Sequence, residues 1–163
     1  MTTIAKTESK AMERLVHLGL ELPPPFPSYG NYVMAARAGR TLYSTGHVPI
    51  DGDRPITGKV GRDLTTQEAY HAARLAALSL LATFRAQLGD LDRIDHLVYL
   101  YGTVNAVPEF TEHTAVINGA SDLLVEVLGE AGWHARLAVG VGSLPGNVAV
   151  EIQVVAELRE EAG

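Results

Sequence analysis

Residues 133–152, WHARLAVGVGSLPGNVAVEI, contain two short apolar segments separated by Leu-Pro-Gly-Asn, a sequence typical of a turn. Side chains alternate between the two faces of a strand, so each segment places one charged residue, Arg136 or Glu151, opposite its branched apolar residues. If the segments pair as an antiparallel hairpin, Arg136 and Glu151 lie on the same face of the sheet, among small residues. This stretch therefore predicts a structural ion pair, a solvated sheet face, or a place where a small anion binds.

The rest of the chain alternates strand and helix patterns around this segment. Strands are predicted at 32–37, 41–45 and 93–104, and helices begin at a capping box, Thr-Thr-Gln-Glu at 65–68, and after Pro108. With the two final strands, the element order is β-β-α-β-α-β-β. We therefore predict an α+β fold in which two helices cover one face of the sheet. The other face also carries apolar residues, and self-association is the economical way to cover it.

An N-terminal region precedes this core. Residues 9–18 repeat apolar side chains at helical spacing, and Gly19 is typical of a helix end. The proline-rich run 23–27 predicts an extended linker. We therefore divide the chain into an N-terminal helix and linker, residues 1–27, and a single domain, residues 28–163.

Composition excludes several classes of function. The chain has 163 residues, 47% of them hydrophobic, no cysteine and a net charge of −6. The acidic charge disfavours nucleic acid as a partner, and the six histidines show no metal-binding spacing. No apolar run is long enough for a membrane helix, and the N-terminus has no secretory signal. We expect a cytoplasmic protein that binds neither membranes, nucleic acid nor a metal ion.

Several ordered motifs resemble the RidA (YjgF) family over roughly residues 28–158. Near the C-terminus these are Ala135-Arg136, Val139-Gly140-Val141, Leu144-Pro145 and Val150-Glu151-Ile152, and upstream they are residues 30–33, residues 42–49 and the alanine-rich helix after Leu64. Residues 118–132, NGASDLLVEVLGEAG, resemble a longer subgroup of that family. The resemblance implies a chorismate-mutase-like fold and a homotrimer whose pockets lie between neighbouring subunits.

The resemblance also implies roles for individual residues. Arg136 matches the arginine that binds the carboxylate of the substrate, which a guanidinium does through two parallel hydrogen bonds. Glu151 matches the glutamate that orients the attacking water, since a carboxylate beside an imine carbon can position and partly deprotonate water. The remaining matches line the cleft and are expected to contact the ligand: Tyr32, Thr45, Gly46, Asn118 and, through its backbone N–H, Ala138.

Four residues near the predicted cleft depart from the family pattern. Leu137 replaces the usual Ser or Thr, and His134 replaces a residue that is often Pro. Ala138 stands where many deaminating members have Cys, and His47 stands where Gln is common. We expect His47 to face the mouth of the pocket. These departures leave the anion-binding arginine in place and concern specificity for the side chain of the substrate.

Functions of different classes follow from these observations. The resemblance implies cofactor-free hydrolysis of small 2-imino or enamine acids to 2-oxo acids and ammonia. The alternative is a trimeric protein that binds or senses a small carboxylate metabolite without turnover. A third reading, endoribonuclease, is a label attached to the family, and an acidic chain without a basic aromatic surface speaks against it. Ammonia release distinguishes the first function from the second.

Overall fold

The computed structural model describes residues 9–160 and has the predicted order of elements. Five strands form one sheet: β1 (Ala35–Ala38), β2 (Thr41–Ser44), β5 (Ile94–Asn105), β6 (Ala135–Val141) and β7 (Val150–Leu158). The short strands β3 (Ile50–Asp51) and β4 (Arg54–Pro55) form a separate hairpin. The helices are α1 (Lys10–His17), α2 (Thr66–Leu88) and α3 (His113–Leu128). The α+β fold predicted from the sequence is confirmed.

The last two strands are not neighbours in the sheet, so the predicted hairpin at 133–152 is wrong. The strand order is β1-β2-β7-β5-β6, with β6 parallel to β5 and β7 antiparallel to β5 on its other side. The physical reason is the helical crossover through α3, which returns the chain to the starting end of β5 and so makes β6 a parallel neighbour. The turn at 142–149 then carries the chain across the end of β5.

Helices α2 and α3 pack side by side on one face of the sheet. Helix α2 begins at the predicted capping box, in which Thr65 and Glu68 each accept a hydrogen bond from the other's backbone N–H. Gly119 allows α3 to lie directly against the backbone carbonyl of Tyr70 on α2. Every second residue of β7 is fully buried beneath these helices. No helix in the described part of the chain has the length and apolar composition needed to span a membrane.

The opposite face of the sheet is open in the single chain. Four large side chains, each 37–45% exposed, lie along it: Tyr43, Tyr99, Tyr101 and Leu137. Their register places them on the same side as Val155 and Gln153 of β7, away from the helices. Exposed apolar faces of this kind commonly mark interaction surfaces.

Asp92, in the short turn before β5, holds α1 against the domain. Its two carboxylate oxygens accept hydrogen bonds from the backbone N–H groups of Lys10 and Ala11, at 2.7 and 3.0 Å. These groups lack partners within a helix, so Asp92 supplies the cap that α1 does not have in its own sequence. The predicted N-terminal helix is present, whereas residues 1–8 of the predicted region 1–27 lie outside the described residues.

Candidate functional site

Arg136 lies on the helix-facing side of β6, at the edge of the sheet. Its Nη2 donates to the Asn118 side-chain oxygen (2.7 Å) and the Thr114 carbonyl (3.4 Å), and its Nη1 donates to Ser121 Oγ (3.0 Å). All three acceptors belong to α3. Within residues 9–160 no carboxylate pairs with Arg136. The guanidinium therefore carries a positive charge without a counterion and retains N–H donors for an anion.

Glu151 lies on the opposite face of the sheet from Arg136. Strand β5 separates the two residues: Arg136 pairs with Leu100, and Glu151 pairs with Thr103. Leu100 and Thr103 are an odd number of positions apart, so they point to opposite faces of β5, and their partners do the same. The expectation that Arg136 and Glu151 share a face is therefore wrong. An ion pair between them within one chain is also excluded.

The Glu151 carboxylate lies directly over Gly46. A Cβ on Gly46 would occupy the position of the Glu151 Oε1 atom, so only glycine admits the carboxylate in this place. The carboxylate is half-buried, and this burial raises its pKa. It has no hydrogen-bond partner among the described residues. It borders a pocket of about 360 Å³ whose other lining residues include Thr45, Tyr101, Thr103 and Leu144.

Main-chain hydrogen bonds hold the Thr45–Gly46 segment on both sides. The Thr45 N–H donates to the Met34 carbonyl (2.9 Å), and His47 exchanges two backbone hydrogen bonds with Ile152 (2.7 and 2.9 Å). Between them, the Gly46 N–H donates to no acceptor within the described part of the chain. Since polar backbone groups rarely stay unpaired, this N–H is a candidate donor to a ligand.

Tyr32 lies two residues before Met34, whose carbonyl is bonded to Thr45, so it belongs to a segment close to the Thr45–Gly46 pocket. It precedes β1 rather than lying in a strand, and its side chain is half exposed. Its hydroxyl oxygen accepts a hydrogen bond from the Tyr29 N–H at 3.3 Å. Because Thr45 bonds to Met34, the backbone of this segment runs beside Thr45 and Gly46.

His47 lies in the core beneath the helices, so the expectation that it faces the pocket mouth is wrong. It is 1% exposed, with Nδ1 3.0 Å from the Thr45 carbonyl and Nε2 2.8 Å from the Thr83 hydroxyl on α2. A carbonyl only accepts, so Nδ1 carries the proton and Nε2 accepts from Thr83. Burial lowers the pKa of His47 to about 4.

We expect His47 to make the protein less stable as the pH falls from 6.5 towards 4. The folded chain keeps His47 neutral over this range, whereas the unfolded chain protonates it near its ordinary pKa of 6.5. The unfolded state thus binds the extra proton, and the free energy of unfolding drops by roughly 2–3 kcal/mol between pH 7 and pH 4.5. Urea unfolding at the two pH values measures this drop. In a His47→Gln control this part of the pH dependence disappears, and an equal drop in both proteins would contradict the assignment.

The predicted site residues thus fall into two groups in the single chain. Arg136, Asn118 and Ala138 lie where α3 packs on β6, and this group is called the anion half-site below. Thr45, Gly46 and Glu151 lie around the pocket of about 360 Å³, with the Tyr32 segment beside them, and this group is called the carboxylate half-site. Within residues 9–160 there is no cluster of three or more His, Asp or Glu residues arranged to hold a metal ion.

The sequence prediction missed Ser121 and identified His134 only as a departure from the family pattern, whereas both residues belong to the surroundings of Arg136. Ser121 follows Asn118 by three residues, and on a helix that spacing places both side chains on the face that meets Arg136. This helical spacing is the signal that could have identified Ser121. His134 contacts Ser121 from the position just before β6, and only the packing of β6 against α3 reveals that contact.

The comparisons with known proteins agree with this fold. A family model described as "YjgF/chorismate mutase-like, putative endoribonuclease" matches residues 12–158, so the chain belongs to the YjgF/RidA family. It is similar to a protein named TCP17 from Trypanosoma cruzi, with 44% identity over 147 residues that cover 89% of this chain and 92% of that protein.

Two further matches give the range of the similarity. The 2-iminobutanoate/2-iminopropanoate deaminase of Salmonella typhimurium is 29% identical over 135 residues, covering 80% of this chain and 89% of the enzyme. A crystal structure of an Agrobacterium tumefaciens protein of unknown function superimposes with a TM-score of 0.86 at 44% identity, covering 92% of this chain and 94% of that one. The predicted family and the chorismate-mutase-like fold are confirmed.

Proposed function

We propose that this protein hydrolyses small 2-imino acids to 2-oxo acids and ammonia, without a cofactor, in a cleft between two subunits. The observation that carries the proposal is the pair of complementary half-sites. One offers a guanidinium without a counterion, and the other offers a half-buried carboxylate without a hydrogen-bond partner. The name of the Salmonella relative supports the substrate class.

The cleft is proposed between subunits because one chain cannot present both groups to one small molecule. Arg136 and Glu151 point away from each other across the sheet. A neighbouring copy in a cyclic assembly can bring its carboxylate half-site to the anion half-site and at the same time cover the open sheet face. We therefore propose the homotrimer implied by the family resemblance, with one cleft at each interface.

In the proposed mechanism, Arg136 binds the substrate carboxylate through two hydrogen bonds, while Asn118 holds the guanidinium. The Gly46 N–H and the Thr45 hydroxyl contact the ligand from the other side. Glu151 accepts a proton from water as the water oxygen bonds to the imine carbon, and it passes this proton to the imine nitrogen. In the resulting carbinolamine, Glu151 transfers the hydroxyl proton to the amine nitrogen, and ammonia leaves as the C–N bond breaks and the C=O bond of the 2-oxo acid forms. A raised pKa makes Glu151 a stronger base than a solvated carboxylate.

We expect Glu151→Gln to lower kcat by about 10²–10⁴-fold, the usual contribution of a positioned general base. The assay is ammonia release from 2-imino acids that an amino-acid oxidase generates in the same vessel. Because burial raises the pKa of Glu151, its charge destabilises the folded state once the pH exceeds the ordinary value of 4.5. The Gln variant should therefore be at least as stable to urea at pH 7. A variant with wild-type kcat would remove Glu151 from the mechanism.

The same assay decides the alternative function. A wild-type protein that binds a 2-oxo acid saturably in calorimetry, yet accelerates ammonia release from none of several 2-imino acids, is the trimeric binding or sensing protein. The reverse result, acceleration with a saturable dependence on substrate, establishes the hydrolase.

A further inference from the structure

We propose that Ser121 and His134 are positioning residues for Arg136, which together fix the orientation of its guanidinium for binding a carboxylate. The inference deepens the proposed function and rests on it. It concerns two residues that do not themselves touch the substrate in the proposed mechanism.

The geometry assigns every proton in this network. Ser121 Oγ lies 3.0 Å from Arg136 Nη1 and 2.9 Å from His134 Nε2, and His134 Nδ1 lies 2.6 Å from the Gly132 carbonyl. The guanidinium only donates, so Ser121 accepts from Arg136 and directs its own proton to His134 Nε2. The Gly132 carbonyl only accepts, so the proton of the imidazole resides on Nδ1. Burial lowers the pKa of His134 and so favours its neutral form, in which Nε2 accepts from Ser121.

Arg136 is oriented by the direction of donation in this series of hydrogen bonds. A serine hydroxyl can rotate and offer either its proton or a lone pair to a neighbour. Because His134 takes the proton, a lone pair of Ser121 is directed at Nη1, and donating to His134 makes that oxygen a better acceptor. Asn118 holds Nη2 in the same way from one helical turn earlier. The two contacts fix both ends of the guanidinium fork.

Nearby carboxylates do not take over this task. Asp122 follows Ser121 directly, but its carboxylate accepts from the Tyr70 hydroxyl on α2 at 2.8 Å. Glu126 pairs with Arg74, also on α2. Arg136 is thus held by neutral acceptors alone, which leave its charge available, whereas an ion pair would have to be broken by an incoming anion.

Burial of His134 agrees with this arrangement. Partial burial lowers the pKa of His134 below its ordinary value, and the charge of Arg136 lowers it further. The hydrogen bond to the Gly132 carbonyl acts in the opposite direction but does not cancel this shift. Protonation would place a second N–H against the Ser121 oxygen and a second positive charge beside the guanidinium. The lowered pKa therefore favours the neutral form of His134 on which this network depends.

The test compares Ser121→Ala, His134→Ala and His134→Gln. The amide oxygen of Gln can reach the position of Nε2 and accept from Ser121, so His134→Gln should restore what His134→Ala loses. We expect KM for the 2-imino acid, and Kd for 2-oxobutanoate in calorimetry, to rise roughly tenfold in both Ala variants while kcat changes less than about twofold. His134→Gln should stay within about threefold of wild type in KM and Kd.

A matched control is Tyr70→Phe, which removes a hydrogen bond to the residue beside Ser121 without touching Arg136. It should leave KM and Kd unchanged, so any general loosening of α3 is recognised. An unchanged Kd in Ser121→Ala, or a Gln variant as weak as the Ala variant, would overturn the proposal. Binding of 2-oxobutanoate without turnover would overturn only the proposed function, because the Kd values still decide the role of Ser121 and His134. A wild type that binds no 2-oxo acid would overturn both.

Discussion

Mixed oligomers of Arg136→Ala and Glu151→Gln subunits are expected to regain about a quarter of the wild-type turnover, although each variant alone is inactive. The two residues lie on opposite faces of the sheet, so the proposed cleft takes its arginine from one subunit and its glutamate from the next. In a randomly mixed ring, half of the subunits supply an intact arginine, and half of their neighbours supply an intact glutamate. A quarter of the interfaces therefore carry both groups.

A second mixture makes the experiment decisive. Wild-type subunits are mixed with subunits that carry both substitutions, after unfolding and refolding the two chains together. If the site lies between subunits, this mixture also retains about a quarter of the activity, whereas a site within one chain would retain about half. A site within one chain would also leave the first mixture inactive. A site between subunits thus predicts a quarter of the activity in each mixture, whereas a site within one chain predicts no activity in the first and half in the second. Ammonia release measures the activity of each mixture.

The sequence allowed prediction of those features that depend on local structure. The capping box at Thr65 sets the start of α2 through contacts within four residues, and it lies where expected. The alternation of side chains along β6 and β7 was also predicted correctly. What failed was the pairing of these strands, because a strand between them, β5, comes from elsewhere in the chain.

This one error changed the site from a single cleft in one chain to two half-sites. Alternation along one strand shows which of its residues share a face. To compare residues on two different strands, the pairing of each strand with its neighbour must also be known. A hairpin would have placed Arg136 and Glu151 together, whereas the shared neighbour β5 separates them. The Ser121–His134 contact was missed for a related reason, since thirteen positions of helix and turn separate its two residues.

Gly46→Ala is expected to lower kcat more than about 100-fold while leaving the fold intact. The added Cβ would occupy the place of Glu151 Oε1, so the carboxylate must rotate away from the pocket. Only the far end of a flexible side chain has to move, and the φ of Gly46 lies outside the positive range that disfavours alanine. The free energy of unfolding should therefore change by less than about 1 kcal/mol, since alanine also reduces the entropy of the unfolded chain.

The matched control for this substitution is Gly142→Ala. Gly142 also has no positive φ, and a Cβ there would meet no atom within 4 Å, so the variant carries the same chemical change without displacing Glu151. It should keep wild-type kcat and stability. Steady-state ammonia release and urea unfolding of the two variants separate displacement of the carboxylate from any general effect of the methyl group.

If Gly46→Ala kept full turnover, the position of the Glu151 carboxylate over Gly46 would have no part in catalysis. If it instead unfolded the protein, Gly46 would serve the fold rather than the carboxylate half-site.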